Sequence, residues 1–159
     1  VKPDNKRNAE ATVELMQAAA ATLKVKLHLL QATSQEEFDG AFRKVRELGA
    51  GGLVIANDVY YALRGEMLAG MAQRHGVPAA HQSREFVLAG GLIGYGGDVE
   101  ESHRQAGVYA GRVLKGEKPA NLPVQQVTRV HMAINLKSAK ALGLNIPLSM
   151  TARADEVIE

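Results

Sequence analysis

The sequence predicts an α/β fold, an open parallel sheet with helices on both faces. Helical patterns alternate with short apolar strands up to residue 82, and this alternation indicates βαβ units with right-handed crossovers. The segment GLVIAN at 52–57 is continuously apolar, as strands buried on both faces of a parallel sheet are. At 159 residues the chain is long enough for one core, since a domain of about 150 residues buries roughly 68 to 70% of its unfolded surface.

The first half of the chain supplies most of these elements. A first helix should end near Leu23, with Asp4 or Asn5 as its cap. VKLHLLQ at 25–31 alternates apolar and polar residues and predicts a strand with one face covered. Ser34 and Glu37 have capping-box spacing, which predicts the start of a second helix. GLVIAN follows and should be the central strand.

The third helix is predicted from about Tyr60 to His75, ahead of a short strand at 79–82. After the glycine-rich stretch SREFVLAGGLIGYGGD at 83–98, a further helix should run over about 100–115. Its apolar residues are predicted to face inward: Ala106, Tyr109, Ala110 and Val113.

The end of the chain begins with the turn-rich linker GEKPANLP, followed by a strand over about 125–134. Asn135 should cap a short helix closed by Gly143, and TARADEVIE should form a last polar turn. A βαβ array should open with a strand, and residues 1–2 are too short to be one. The first strand is therefore expected to be missing.

Composition argues against several function classes. The chain has 19 Lys and Arg against 17 Asp and Glu, without a basic cluster, and only 4% aromatic residues, so no nucleic acid partner is expected. It has no cysteine, which excludes disulfides and thiol catalysis. The five histidines lack metal-ligand spacing and are expected at the surface or boundary. We expect no cofactor, no metal and no catalytic residues.

The candidate site lies where the strands end, because helix N-termini converge at the carboxyl ends of parallel strands. Asn57 and Asp58 follow GLVIAN, with Tyr60 close behind; they could contact a ligand or cap the next helix, and the two roles are compatible.

Ser83, Arg84 and Glu85 follow the next strand. In an extended segment Arg84 and Glu85 would point to opposite sides. Arg84 could bind a carboxylate, or the pair could be a surface ion pair at a hinge. The glycines around Tyr95 lack the spacing of a dinucleotide fingerprint. We interpret them as places where the backbone turns and approaches something closely.

Four segments together resemble one family along nearly the whole chain: REFVLAGGLIGYG, GRVLKGEKPANLPVQQ, INLKSAKALGL and ARADEVIE. It is the family of ABC-transporter substrate-binding proteins that includes the tryptophan-binding lipoproteins. Its members have the type I periplasmic-binding-protein fold, are periplasmic or lipid-anchored, and close two lobes on a small solute. The resemblance implies a C-terminal fragment about half the length of the family's complete chain, with an ABC permease as partner.

By this resemblance, residues 1–89 form the core of the second lobe, residues 90–118 pack on the absent first lobe, and residues 119–159 return. The returning strand would begin at 123–126. The cleft residues carried over are Asn57, Asp58, Tyr60, Ser83, Arg84, Glu85 and Tyr95.

The tryptophan-binding members have Thr-Asp-Asn where this chain has Asn57, Asp58 and Val59, and an aspartate at the position of Arg84. The expected solute is therefore an amino acid or another small metabolite, an anionic one included. The alternative function is the ligand-sensing lobe of a transcription regulator. An unfilled gap at the first strand would also allow the fragment to self-associate.

Overall fold

The molecule is built on one five-stranded sheet. The computed structural model describes residues 1, 6–125 and 129–159, without the side chains of residues 7 and 8. The strands are β1 (Leu53–Val54), β2 (Ala79–His81), β3 (Ile93–Gly97), β4 (Val130–Asn135) and β5 (Glu156–Ile158), and they lie in that order across the sheet. All neighbouring pairs are parallel except β3 with β4. The predicted α/β class with a mostly parallel sheet is confirmed.

Eight helices accompany the sheet in the described part of the chain: α1 (Lys6–Leu23), α2 (Gln35–Glu47), α3 (Val59–Ala62), α4 (Gly65–His75), α5 (Arg84–Leu88), α6 (Val99–Leu114), α7 (Leu136–Ala141) and α8 (Leu148–Thr151). A 3-10 turn spans Pro119–Asn121. None of the described helices is both long and apolar enough to cross a bilayer.

Helix boundaries follow the local signals. Ser34 caps α2 by accepting a hydrogen bond from the Glu37 N–H at 3.4 Å. Glu37 reaches back one residue further than a capping box requires, to the N–H of Thr33. Asn135 caps α7 through the Ser138 N–H, and Gly76 ends α4 with φ at 60°, where glycine meets no steric cost. The proposed caps at residues 4 and 5 lie outside the described residues.

Two strand predictions are wrong. Residues 25–33 form no strand. The hydrogen bonds of their backbone include one from the Val1 amino group to the Leu30 carbonyl and one from the Ala32 N–H to the Val1 carbonyl. GLVIAN is not central, because β1 is the first strand of the sheet and Val54 is 62% exposed. Both errors have one cause: alternation and apolarity show which face a strand would bury, but a strand also needs a neighbour to satisfy its backbone.

Other elements differ from the prediction in their bounds. The predicted 60–75 helix is two helices, since Arg64 leaves the helical region at φ −118°, ψ 16°. In α3 the Tyr61 hydroxyl donates a hydrogen bond to the Ala32 carbonyl. Helix α4 packs instead against α2 and α5. The returning strand starts at Val130, not near 125; position 126 is outside the described residues. The last segment contains α8 and β5, not a polar turn alone.

The sheet has a covered face and a partly open one. Ala79, His81 and Ala133 face α2, α4 and α5 and are 0–3% exposed. The adjacent row on the other face runs in register from Val54 through Ala80 and Ile93 to Ile134 and Val157. Ile134 is fully buried but Val54 is not. The first face therefore carries the main core.

Helix α6 is largely exposed. It has no buried residue over its length, so the predicted inward positions Ala106, Tyr109, Ala110 and Val113 are wrong for this chain by itself. A cavity of ≈ 880 Å³ lies between it and residues 119–125. The Tyr109 hydroxyl bridges the two by donating to the Pro123 carbonyl.

Candidate functional site

The carboxyl ends of β1, β2 and β3 meet at one edge of the sheet. The three strands are parallel, and Val54, Ala80 and Ile93 lie side by side. Residues 57–60 follow β1, residues 82–85 follow β2, and β3 ends at Gly97. We call this the carboxyl edge. It brings the predicted site residues to one side of the molecule.

After β1, the predicted residues build the start of α3. Asp58 is 9% exposed and its Oδ1 accepts the Tyr60 N–H at 2.8 Å, so the capping role is confirmed. Tyr60 is half-buried: the Arg64 guanidinium lies 3.8 Å from its ring centroid and Phe38 packs at 6.0 Å. Asn57 is exposed on the rim.

Ser83 after β2 caps α5 and is bound to His81. Its Oγ accepts the Phe86 N–H at 3.3 Å and lies 2.9 Å from His81 Nδ1, which also accepts the Ser83 N–H at 3.2 Å. Since a backbone N–H can only donate, Nδ1 is the acceptor and the neutral ring carries its proton on Nε2. The Ser83 hydroxyl hydrogen is therefore directed to His81, which leaves Oγ as an acceptor.

His81 is a site residue that sequence reasoning missed. It is 2% exposed, not a surface or boundary residue, and its Nε2 is without a partner in the described part of the chain. Burial lowers the pKa of His81, and the charge of Glu85 opposes this shift. The spacing in the sequence could have predicted this burial. His81 is two residues after Ala79 in the same strand, so both side chains lie on the same buried face of the sheet.

Arg84 and Glu85 are in the first turn of α5 and not in an extended segment as predicted. The Arg84 fork binds Glu156 of β5 through Nε–Oε2 at 2.5 Å and Nη2–Oε1 at 2.7 Å. This bond raises the pKa of Arg84 and lowers that of Glu156. Glu85 is exposed and its side chain makes no hydrogen bond or ion pair to any described residue.

The partner of Arg84 could not be read from the sequence. Glu156 is 72 residues away and reaches α5 because it lies in the same cross-strand row as His81, Gly94 and Ala133. That row is on the face that α5 covers. The predicted surface ion pair between Arg84 and Glu85 is wrong, because the Arg84 guanidinium binds Glu156 of β5.

The glycines of β3 allow close approach, as the sequence indicated. A Cβ at Gly96 would lie 2.2 Å from the Gln82 carbonyl oxygen, and one at Gly94 would lie 2.9 Å from that of Ser83. Both positions face α5. Tyr95 between them is 63% exposed on the opposite face, where it is paired with Met132. The carboxyl edge thus presents Tyr95 and the α5 side chains from different faces of the sheet.

Among the described residues no group of three His, Asp or Glu side chains is arranged to hold a metal ion. The polar groups of the carboxyl edge can bind and orient a small molecule by hydrogen bonds and charge.

Comparison with known families decides the family of this chain. The family described as ABC transporter substrate binding protein matches residues 2–158. The chain belongs to this ABC transporter substrate-binding family. The resemblance predicted from the four sequence segments is confirmed. A comparison with curated proteins found no match.

Solved structures share the fold of this family member. A conserved domain protein from Vibrio cholerae O1 biovar El Tor is 25% identical with a TM-score of 0.81, over 94% of this chain and 50% of that one. An ABC domain from Streptococcus pneumoniae in complex with L-Trp is 26% identical, also at 0.81, over 95% and 51%. A ligand-free, open substrate-binding protein with adhesive properties from Clostridium difficile shares the fold alone, at 19% identity and TM-score 0.63, over 95% and 50%. The chain spans about half the length of each.

Proposed function

We propose that this chain is one lobe of the solute-binding component of an ABC importer, which captures a small solute between two lobes without chemistry. The observation that carries the proposal is the family match over residues 2–158. The carboxyl edge supports it, because it gathers hydrogen-bonding side chains from two strand ends and one tyrosine from a third.

The other lobe of the proposed clamp, against which this lobe would close, is supported by helix α6. Helix α6 buries none of its residues, and an amphipathic helix is expected to cover its apolar side against another element. We assign residues 1–89 to the lobe core, residues 90–118 to the contact with the other lobe, and residues 119–159 to the return segment.

The solute contacts we propose on this lobe are Asn57, Asp58, Tyr60, Ser83, Arg84, Glu85 and Tyr95. Several of them already have structural partners: Asp58 caps α3, Ser83 caps α5 and bonds to His81, and Arg84 binds Glu156. Glu85 and Tyr95 are exposed and open to a solute without rearrangement.

Closure of the lobes is the signal in this mechanism. A solute that contacts both lobes favours the closed state by its difference in affinity for the closed and open forms, and a membrane permease would read that state. The function places the protein outside the cytoplasm, in the periplasm or on a lipid anchor. A solute related to the L-Trp bound by the pneumococcal relative is a reasonable starting point.

A thermal-shift screen tests the proposal on the two-lobed protein, with the common amino acids and small carboxylates as solutes. A binding solute should raise the Tm in proportion to the logarithm of its concentration, because only the folded state binds it. The lobe alone should show a much smaller shift, since half of the cleft is absent. If no solute stabilises the two-lobed protein, the proposal is wrong.

A further inference from the structure

In the β2–α5 junction, defined here as residues 81–85, the side chains of Arg84 and Ser83 are already committed as hydrogen-bond donors. The strongest donor of the junction, the Arg84 guanidinium, is held by both oxygens of Glu156 at 2.5 and 2.7 Å. A two-point Arg–carboxylate bond uses the planar fork that would otherwise recognise an anionic solute. An anion would therefore have to displace Glu156 to bind there.

The Ser83 hydroxyl is likewise limited to accepting a hydrogen bond from a solute. His81 Nδ1 accepts the hydroxyl hydrogen, and the Phe86 N–H occupies one lone pair of Oγ. One acceptor lone pair remains for a solute. A bound group can donate a hydrogen bond to Ser83 but cannot receive one from it.

The His81 tautomer that makes Ser83 an acceptor has a free-energy cost for the folded state. His81 is 2% exposed, and its Nε2–H has no acceptor among the described residues. A buried donor left without a partner destabilises the folded state, and such groups are rare in folded proteins and mark strained or functional places. His81 is the last residue of β2, so this unsatisfied group lies next to the carboxyl edge.

The charge around the junction is negative. The junction and its partner carry two negative charges, on Glu85 and Glu156, and one positive charge, on Arg84. The net charge of this group is therefore negative. Glu85 is exposed and without an ion pair among the described residues, so it is the carboxylate that a solute can reach.

We propose that the β2–α5 junction recognises a cationic, hydrogen-bond-donating group of the solute, an ammonium or an amidinium, with Glu85 as its counter-ion and Ser83 Oγ as its neutral acceptor. His81 is the positioning residue that keeps Ser83 an acceptor. Arg84 stays paired with Glu156 when the cationic group binds, which reverses the anionic preference that its side chain suggests in the sequence. The inference rests on the proposed solute-binding function.

The test uses matched pairs of small molecules that exchange an amine for a carboxylate on a similar skeleton: tryptamine with indole-3-propionate, and phenethylamine with 3-phenylpropionate. Isothermal titration on the two-lobed protein should give the amine at least tenfold tighter binding than its partner. Glu85→Gln should remove most of that difference. Glu47→Gln, the same change in the last turn of α2, should leave it intact.

A second variant tests the role of the ion pair. Glu156→Gln releases the Arg84 fork, so the carboxylate of each pair should gain affinity while the amine loses it. An unchanged ratio of the two affinities in Glu156→Gln would contradict the assignment of Arg84 as a charge held by Glu156.

The role of His81 has its own readout. Nitrogen NMR of the unmodified protein at neutral pH should show a neutral imidazole protonated on Nε2; a proton on Nδ1 would overturn the role of Ser83 as an acceptor. His81→Asn keeps an acceptor near the Nδ1 position and should retain the amine preference, whereas His81→Leu should weaken it.

The outcomes separate this inference from the function it rests on. Tighter binding of the carboxylate members, or binding only of uncharged solutes, overturns the inference and leaves the solute-binding function standing. Failure of both members of each pair and of every other small solute overturns both.

Discussion

Helices α5 and α6 are close neighbours in the sequence but opposite in their relation to the rest of the chain. Helix α5 has five residues and buries Phe86 and Val87 completely. Helix α6 has 16 residues and buries none. Length and amphipathic pattern do not explain the difference, because the longer helix has the clearer pattern.

The contrast shows what makes each helix. Helix α6 is held by local groups: the Asp98 cap on the Glu101 N–H and the pairs Arg104–Glu101 and Arg112–Glu117. Helix α5 is too short to be stable alone and exists because β3, β4 and α4 pack on it. The carboxyl edge is therefore positioned by tertiary packing, whereas α6 is stabilised mainly by groups within its own segment.

The largest expected difference between the two helices comes from truncating their apolar side chains. Phe86 is 0% exposed, so Phe86→Ala should lower the free energy of unfolding by about 3–5 kcal/mol. Leu114→Ala in α6, at 86% exposure, should change it by less than about 0.5 kcal/mol. Urea denaturation of both variants measures this. A similar cost for the two would mean that α6 is packed in solution.

Glycine substitutions sharpen the same comparison. Gly96→Ala puts a Cβ 2.2 Å from the Gln82 carbonyl oxygen, and overpacking against backbone should cost about 1–3 kcal/mol. Gly111→Ala in α6 meets nothing within 4 Å and should stabilise the helix by about 0.5–1 kcal/mol. Equal shifts of the urea midpoint would show that β3 can move away from Gln82.

Two aspartate caps provide a matched pair. Asp58 caps α3 in the packed part and Asp98 caps α6. Asp58→Ala should reduce global stability by about 0.5–2 kcal/mol, the usual cost of losing a cap. Asp98→Ala should raise amide hydrogen exchange in α6 and leave the global unfolding midpoint nearly unchanged. Global destabilisation by Asp98→Ala would place α6 within the cooperative unit.

The smallest effect is a dependence on pH. Arg84 lowers the pKa of Glu156 below its usual 4.5, so the folded state holds Glu156 ionised more strongly than the unfolded state does. This stability is complete above the unfolded pKa and is lost as pH falls through the lower, folded pKa. The stability difference between the unmodified chain and Glu156→Gln should therefore shrink below pH 4.5.

Glu117→Gln serves as the control, because Glu117 pairs with Arg112 only five residues away. It should show little global effect at any pH. A difference between the unmodified chain and Glu156→Gln that stays constant down to acid pH would mean that the Arg84 pair does not form.

The sequence predicted well whatever depends on neighbouring residues. Ser34, Asn135 and Gly76 set helix ends by hydrogen bonds and backbone angles within a few residues, and each was found where expected. The polar residues after β1 and β2 could likewise be placed at the carboxyl edge, because parallel strands share that edge.

What failed depends on partners far along the chain or outside it. Residues 25–31 have a strand pattern, but none of the strands in the described part of the chain lies beside them. Arg84 has a partner 72 residues away, and the buried state of His81 is set by α5 packing over β2. These facts require the assembled sheet, and no local pattern contains them.

The close contact of β3 with the β2–α5 junction makes the backbone shape of the carboxyl edge independent of the side chains that the edge carries. Gly94 and Gly96 approach the carbonyl oxygens of Ser83 and Gln82, which every amino acid possesses. The side chains at 84 and 85 can therefore be exchanged during evolution while the backbone that carries them stays in place. Related proteins that keep this contact can change the solute they recognise by single substitutions, without compensating changes elsewhere in the fold.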